Sequence, residues 1–337
     1  MKKYIPKVML VTGGAGFIGS HYVREVLAKH PHLMVVNLDL LTYAGSLNNL
    51  THLSDPTRHH FVKGDIRDRQ LVDNLLQQYD VDTIVHFAAE SHVDRSITGP
   101  AVFIETNVVG TLTLLESART YWLDNKKRSA DQCRFHHIST DEVYGTLTEQ
   151  DPAFTEKTAY APNSPYSASK ASADHLVRAY FETYRLPITI TNCSNNYGPN
   201  QHAEKLMPTI VRSCLAQKPI PIYGNGKNKR DWLYVTDHCE AIDLVIESGK
   251  IGESYNIGGN AEHQNLEIAQ KICGILDNIK PAENPYAHLI AFVTDRPGHD
   301  WRYAIDISKI QSALGWQPKT DIQSGLVKMV AFYAALT

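Results

Sequence analysis

The chain has 337 residues, 43% of them hydrophobic and 20% charged, with a formal net charge of −3. That length accommodates two domains or one enlarged α/β domain, and the charge gives no reason to expect nucleic acid or an acidic membrane as partner. No apolar run approaches membrane-spanning length and no signal-peptide core precedes the first strand-like run, so the cytoplasm is the expected location.

From the amino terminus, Lys7 to Thr12 is a short apolar run, followed by Gly13-Gly14-Ala15-Gly16-Phe17-Ile18-Gly19 and the amphipathic stretch Ser20 to Lys29. This order predicts strand, glycine loop and helix. The spacing Gly13-x-x-Gly16-x-x-Gly19 supplies a tight turn, a backbone that can approach a pyrophosphate, and free amides at a helix start. A second predicted strand, Met34 to Leu38, ends in Asp39, at the roughly 20-residue interval where a ribose-binding carboxylate belongs. Such a carboxylate accepts ribose hydroxyls and repels a 2′-phosphate, which favours NAD over NADP.

The alternation continues with His60 to Lys63, a helix around Gln70 to Tyr79 and the strand Thr83 to Phe87, the βαβ units of a parallel sheet. Asp65-Ile66 falls where the sheet edge would hold an adenine, and the small residues of Ala88-Ala89-Glu90-Ser91 would let backbone pass beneath a cofactor. Both stretches read equally as plain loops. A long helical pattern runs from Ala101 to Asp124, and the basic run Asn125-Lys126-Lys127-Arg128 reads as a solvated loop. The strand-like run Arg134 to Ile138 then leads into Ser139-Thr140-Asp141-Glu142-Val143-Tyr144-Gly145. Thr140, Asp141 and Glu142 thus sit at or just past a strand's carboxyl end, where open α/β sheets bind ligands, so the two acids are candidate proton donor and acceptor to one substrate. A solvated turn whose aspartate caps a helix is the alternative.

Tyr166-Ser167-Ala168-Ser169-Lys170 opens a helix that continues through Tyr184. At i and i+4 the phenol and the amine share one face, so the ammonium is expected to lower the phenol's pKa and to hold a ribose hydroxyl. Beyond the strand Ile188 to Asn192 the rhythm loosens, with Pro199, Pro208, Pro219 and Pro221 punctuating short helices, and Pro221 to Gly226 reads as strand and turn. Arg230 and Arg296 together fit a diphosphate clamp, although either alone reads as an ion-pair partner. Ser308 to Leu314 and Asp321 to Ala335 are helical.

The five cysteines, Cys133, Cys193, Cys214, Cys239 and Cys273, show no C-x-x-C pair and no histidine at ligand spacing, which predicts reduced thiols. His59-His60 and His136-His137 lie in strand-like runs whose neighbours point to opposite faces, so no metal is expected. The fold class is α/β: a Rossmann-type doubly wound parallel sheet with a smaller α/β carboxyl-terminal substrate domain. Residues 1–192 form the expected NAD-binding part, rejoined by the chain around 230–258, and 193–337 mainly the substrate part.

The glycine loop, Asp39 and the Tyr166-Lys170 pair resemble the extended short-chain dehydrogenase/reductases that act on nucleotide sugars, and Thr140-Asp141-Glu142 is the mark of the 4,6-dehydratases within them. The stretches Ala88 to Ser96, Asn192 to Pro199 and Asp295 to Asp300 carry the same resemblance, so it extends over nearly the whole chain. It implies a redox-neutral dehydration of a nucleotide-bound hexose, with NAD as cofactor and dTDP-glucose as substrate; nothing in the spacing itself separates dTDP from UDP or CDP. It assigns Thr140, Asp141, Glu142, Tyr166 and Lys170 to catalysis. It places Gly13, Gly16, Phe17, Ile18, Gly19, Asp39, Asp65, Ile66, Ala88, Ala89, Ser91, Thr106 and Asn196 on NAD, with Tyr166 and Lys170. On the substrate it places Ser91, Thr140, Asn195, Glu204, Lys205, Leu206, Pro221, Tyr223, Arg230, Asn265, Arg296 and His299. It further implies a homodimer through the helices at Ala101–Asp124 and Ser167–Tyr184, and leaves open whether the product serves surface polysaccharide or a glycosylated metabolite. Two other readings compete. An NAD-dependent nucleotide-sugar 4-epimerase has no use for Asp141 and Glu142, and a non-catalytic NAD(H)-sensing protein would tolerate loss of Tyr166, Lys170 or the acid pair.

Overall fold

Val8–Thr12 has no charge and is buried along all but its first residue, the pattern of a strand covered on both faces. In the computed structural model, which describes residues 3–336, it is the first of twelve strands. These are β1 Val8–Thr12, β2 Met34–Asp39, β3 His59–Lys63, β4 Thr83–His86, β5 Arg134–Thr140, β6 Ile188–Cys193, β7 Asn195–Tyr197, β8 Ile220–Tyr223, β9 Lys229–Tyr234, β10 Ser254–Ile257, β11 Glu262–Gln264 and β12 Ile290–Val293. Seven of them form one sheet in the order β10-β6-β5-β4-β1-β2-β3, with every pairing parallel.

Side-chain alternation along β1 divides the apolar interior in two. Leu10 packs on one face with Val36, Leu115, Trp122 and Phe135, while Met9 and Val11 pack on the other with Tyr22, Val23, Ile242 and Ile246. Helices cover both faces, as a doubly wound sheet requires. The chain builds outward from β1 through β2 to β3, then returns to lay β4 on the opposite side of β1. This places the topological switch between β1 and β4, and the loops after Thr12 and His86, adjacent in register, open the crevice where such sheets bind ligands.

The second half has its own interior, in which Tyr197, Trp232, Ile268, Ile272, Leu326 and Met329 pack together. Two small sheets frame it, β11-β9-β7 and β12-β8. Between the prolines runs the expected short helix, Leu206–Leu215, while the longer Asn265–Ile279 packs in this interior and Val235–Ser248 returns to the main sheet. Three expectations need correction. The first helix begins at Phe17, not Ser20, so Ile18 and Gly19 lie inside it. The helical pattern from Ala101 continues to Asn125 and includes two wide-turn π segments, Ile104–Val109 and Arg119–Asn125. In the basic run after it Lys126 and Lys127 are exposed as a solvated loop requires, but Arg128 is anchored, donating to the Val81 carbonyl at 2.6 Å and to Asp80 at 2.8 Å. All five cysteines are free and buried. No helix among the described residues is long and apolar enough to cross a membrane.

Candidate active site

A cleft of about 770 Å³ runs along the carboxyl ends of the central strands and on into the second half, and every site residue named from the sequence lines it. At its first end, Gly13 has φ +72°, and a Cβ there would stand 2.7 Å from the Ala88 nitrogen. Only glycine allows the β1 and β4 loops to approach so closely. Gly16 precedes the first helix without a side-chain cap, leaving helix-start amides for an anion. At the end of β2, Asp39 accepts hydrogen bonds from the Ala15 and Leu41 amides at 2.9 and 2.8 Å, which fix its carboxylate at the cleft wall. A glycine cradle, an uncapped helix start and a carboxylate at the next strand end fit the diphosphate and ribose of NAD. Asp65 also lines the cleft, with its carboxylate held by Arg67 at 2.7 Å, and Ile66 packs toward Gly110.

At the centre, β5 ends in Thr140, whose hydroxyl accepts from the Glu142 amide at 3.3 Å and caps a single 3-10 turn, Asp141–Tyr144. Threonine does the capping, so the reading of Asp141 as a solvated cap fails: that side chain is 1% exposed. Its Oδ2 is buried without a partner. Burial holds the Asp141 carboxyl well above the usual carboxylate range, and the negative charges of Glu142 and Asp231 push the same way. Burial also raises Glu142, but there the cations Lys205, Arg296 and Arg230 oppose it. The two adjacent acids therefore stand in different electrostatic surroundings.

Tyr166 and Lys170 line the cleft from the Pro165–Tyr184 helix. The expected lowering of the phenol by the lysine is not found. Burial pushes the Tyr166 phenol well above its ordinary value, and Glu142 adds to the shift, while a side-chain hydrogen bond with Thr140 opposes it. The Lys170 ammonium instead donates to the Ile138 carbonyl of β5 at 2.7 Å, and burial lowers its own pKa. The hydrogen bond of the lysine goes to the strand opposite.

At the far end, Lys205 donates to the Ser91 carbonyl at 2.8 Å and Glu204 pairs with Arg95 at 2.8 Å. Arg230 stacks over Tyr303, its guanidinium carbon 4.3 Å from the ring centre, and donates to the Asp300 carbonyl at 2.9 Å. Arg296 pairs with Asp94 at 2.8 Å. Asn195 Oδ1, Asn265 Oδ1 and Arg296 Nε are buried without partners, an arrangement suited to a polar ligand in the cleft. Sequence reasoning gives Asp94, which lies within the stretch Ala88 to Ser96, no role. It missed Asp231, which accepts the Gly259 and Ala261 amides at 2.8 and 2.6 Å while raising Asp141, and Asn107, which ties the Glu90 carbonyl to Ser169 of the Tyr166 helix. No local signal marks either; their partners are far away in sequence.

Outside the cleft, His30, Asp243 and Glu247 bring ligand-type atoms within 4.8 Å of one another. The Lys29 ammonium already pairs with both acids there.

The family model described as GDP-mannose 4,6 dehydratase matches residues 10–329. A dTDP-glucose 4,6-dehydratase of Xanthomonas campestris pv. campestris (strain B100) is 57% identical over 326 residues, covering 96% of this chain and 92% of that protein. That of Salmonella typhimurium (strain LT2) is 54% identical over 337 residues, covering 98% and 93%. A crystal structure of a Streptomyces venezuelae dTDP-glucose 4,6-dehydratase with NAD and TYD bound superposes with a TM-score of 0.87 at 47% identity, covering 97% of each chain. With a match over most of its length and relatives above half identity, the chain belongs to the GDP-mannose 4,6 dehydratase family, and its similarity within that family is to the dTDP-glucose 4,6-dehydratases.

Proposed function

We propose that the chain is an NAD-dependent lyase that converts dTDP-glucose to dTDP-4-keto-6-deoxyglucose and water. The observation that carries the reading is Asp141: a buried carboxyl with an unpartnered oxygen, raised above its ordinary range, next to a second acid and to Tyr166. A 4-epimerase needs a base at the sugar's 4-hydroxyl but no such acid.

NAD, held by Gly13, Gly16, Phe17, Ile18, Gly19 and Asp39, would accept hydride from the sugar's carbon 4, return it to carbon 6, and add positive charge to the pocket. Tyr166, bonded to Thr140, takes the 4-hydroxyl proton. The hydrogen bond with Thr140 opposes the burial cost of a phenolate, and Lys170, anchored on Ile138, is placed to hold a ribose hydroxyl of the cofactor. The 4-keto group acidifies carbon 5. Glu142, raised by burial but opposed in that shift by the cations Lys205, Arg296 and Arg230, takes the carbon 5 proton, and Asp141, raised by burial and by neighbouring acids, gives its proton to the departing 6-hydroxyl. Glu142 then returns a proton to carbon 5. Arg230, Arg296, Lys205, Asn195 and Asn265 bind the nucleotide diphosphate and sugar.

The domain assignment follows the same reading. The seven-stranded sheet, including β10, serves NAD, and the second interior serves the substrate. A homodimer through the 101–125 helical segment and the Pro165–Tyr184 helix is supported by Val102, Ile104, Val109 and Leu112, large apolar side chains exposed along the former. The setting is the cytoplasm, and the product suits synthesis of dTDP-rhamnose for lipopolysaccharide or other surface polysaccharide.

The experiment is to incubate the purified protein with dTDP-glucose and follow the 4-keto-6-deoxy product by its absorbance in alkali and a mass loss of one water. Conversion to the galactose epimer without mass change would replace the reading with an epimerase. Absence of reaction with any nucleoside diphosphate hexose would leave an NAD(H)-binding protein.

A further inference from the structure

The residues this reading places on the substrate diphosphate and sugar belong to the second half, yet a five-residue segment of the first half holds two of them, Lys205 and Arg296. Arg95 pairs with Glu204, the Ser91 carbonyl accepts from Lys205, and Asp94 Oδ1 accepts from Arg296 Nη1 at 2.8 Å across 202 residues of sequence. The last contact is the informative one. Arg296 lies in a loop that ties itself together, with Asp295 accepting from the Arg296 amide at 2.8 Å and from the His299 ring at 2.6 Å, and with Gly298 at φ +63°. Those bonds fix the loop's backbone. The long Arg296 side chain is held by Asp94, whose other oxygen is 3.3 Å from the Tyr223 hydroxyl. With one side of the guanidinium occupied, its Nε remains buried and unpartnered at the cleft.

We propose that Asp94 is a positioning residue: by holding Nη1 of Arg296 it presents the Nε side of the guanidinium to the substrate diphosphate. The inference rests on the function proposed above. An arginine that must find its rotamer on binding loses conformational freedom, and one already clamped loses less, so the clamp strengthens binding without touching the reacting carbons. Its signature is a rise in KM with kcat nearly unchanged.

The test uses the full-length holoenzyme and four proteins: wild type, D94A, R296A and the double variant, each assayed for dTDP-glucose turnover and for dTDP binding by calorimetry. D94A is expected to raise KM and the dTDP Kd about tenfold while kcat stays within about twofold, the loss of one oriented charge-assisted hydrogen bond. In the R296A background the same substitution is expected to change Kd by less than about twofold, because the two residues act as one unit. D94N keeps the shape and removes the charge, so it carries the same test if D94A does not fold. Unchanged KM and Kd in D94A, tighter binding in D94A, or an effect undiminished in R296A would each overturn the proposal while leaving the dehydratase reading intact. Wild-type protein that neither converts dTDP-glucose nor binds dTDP would overturn both.

Discussion

Replacing Asp141 by asparagine removes a proton donor and, by the same stroke, a buried acid that folding must keep protonated. The two consequences have opposite signs. Without its proton the 6-hydroxyl has no general acid, and kcat for dehydration is expected to fall about 10²- to 10⁴-fold. Oxidation at carbon 4 does not use Asp141, so transient NADH absorbance in single turnover should persist and decay slowly. For stability, the sign follows from burial. Asp141 is 1% exposed and its carboxyl is held above its ordinary range. An acid raised in the folded state costs stability above its unfolded value of about 4, because folding must retain a proton that the unfolded chain has released. Each tenfold difference in acidity is worth about 1.4 kcal/mol, or roughly 2 °C in melting temperature for a chain of this size. Asp141→Asn should therefore melt higher than wild type at neutral pH, with the gap closing as pH falls toward about 4. Stopped-flow absorbance and melting curves across pH read both effects. A variant with wild-type kcat, or one that is less stable at neutral pH and equally so at low pH, would refute the assignment of Asp141 as a buried, protonated acid.

Other substitutions address the remaining steps. Glu142→Gln is expected to slow turnover about 10²- to 10⁴-fold and to abolish exchange of the carbon 5 proton with solvent deuterium, measured by mass spectrometry. Tyr166→Phe should slow the first oxidation by a similar factor of about 10² or more, seen as less transient NADH in single turnover. Gly19→Ala would drive a Cβ to 2.3 Å from the Gly13 carbonyl and 2.8 Å from the Gly14 Cα. It is expected to cost about 1–3 kcal/mol of stability and to yield protein depleted of NAD, measured by melting and by the nucleotide released on denaturation.

The parts of the molecule legible in the sequence are those whose cause is local. The glycine loop is read from three positions and Asp39 from its distance to them; Thr140, Asp141 and Glu142 sit where a strand ends. The central sheet follows from apolar runs alternating with helical periodicity. What stayed hidden is set by long-range partners. The three-residue strands β7 and β11 exist only because β9 lies between them, and neither has a pattern of its own. Asn107, Asp231 and Asp94 carry no motif that names their contacts, and Arg128 was mistaken for a solvated charge because Val81 and Asp80 are distant in sequence. The relation between Tyr166 and Lys170 was misread for a different reason. Helical spacing predicts which face a side chain occupies, but where a four-carbon amine ends depends on the carbonyl opposite, here Ile138 of the neighbouring strand.

The central claim is that one sugar is oxidised, dehydrated and reduced within one cleft, and the fate of the hydrogen on carbon 4 tests it most directly. Incubating the protein with dTDP-glucose deuterated at carbon 4, in ordinary water, should give a 4-keto-6-deoxy product carrying the deuterium on carbon 6. Product with the label lost to solvent, or label retained at carbon 4 of an epimer, would contradict the account.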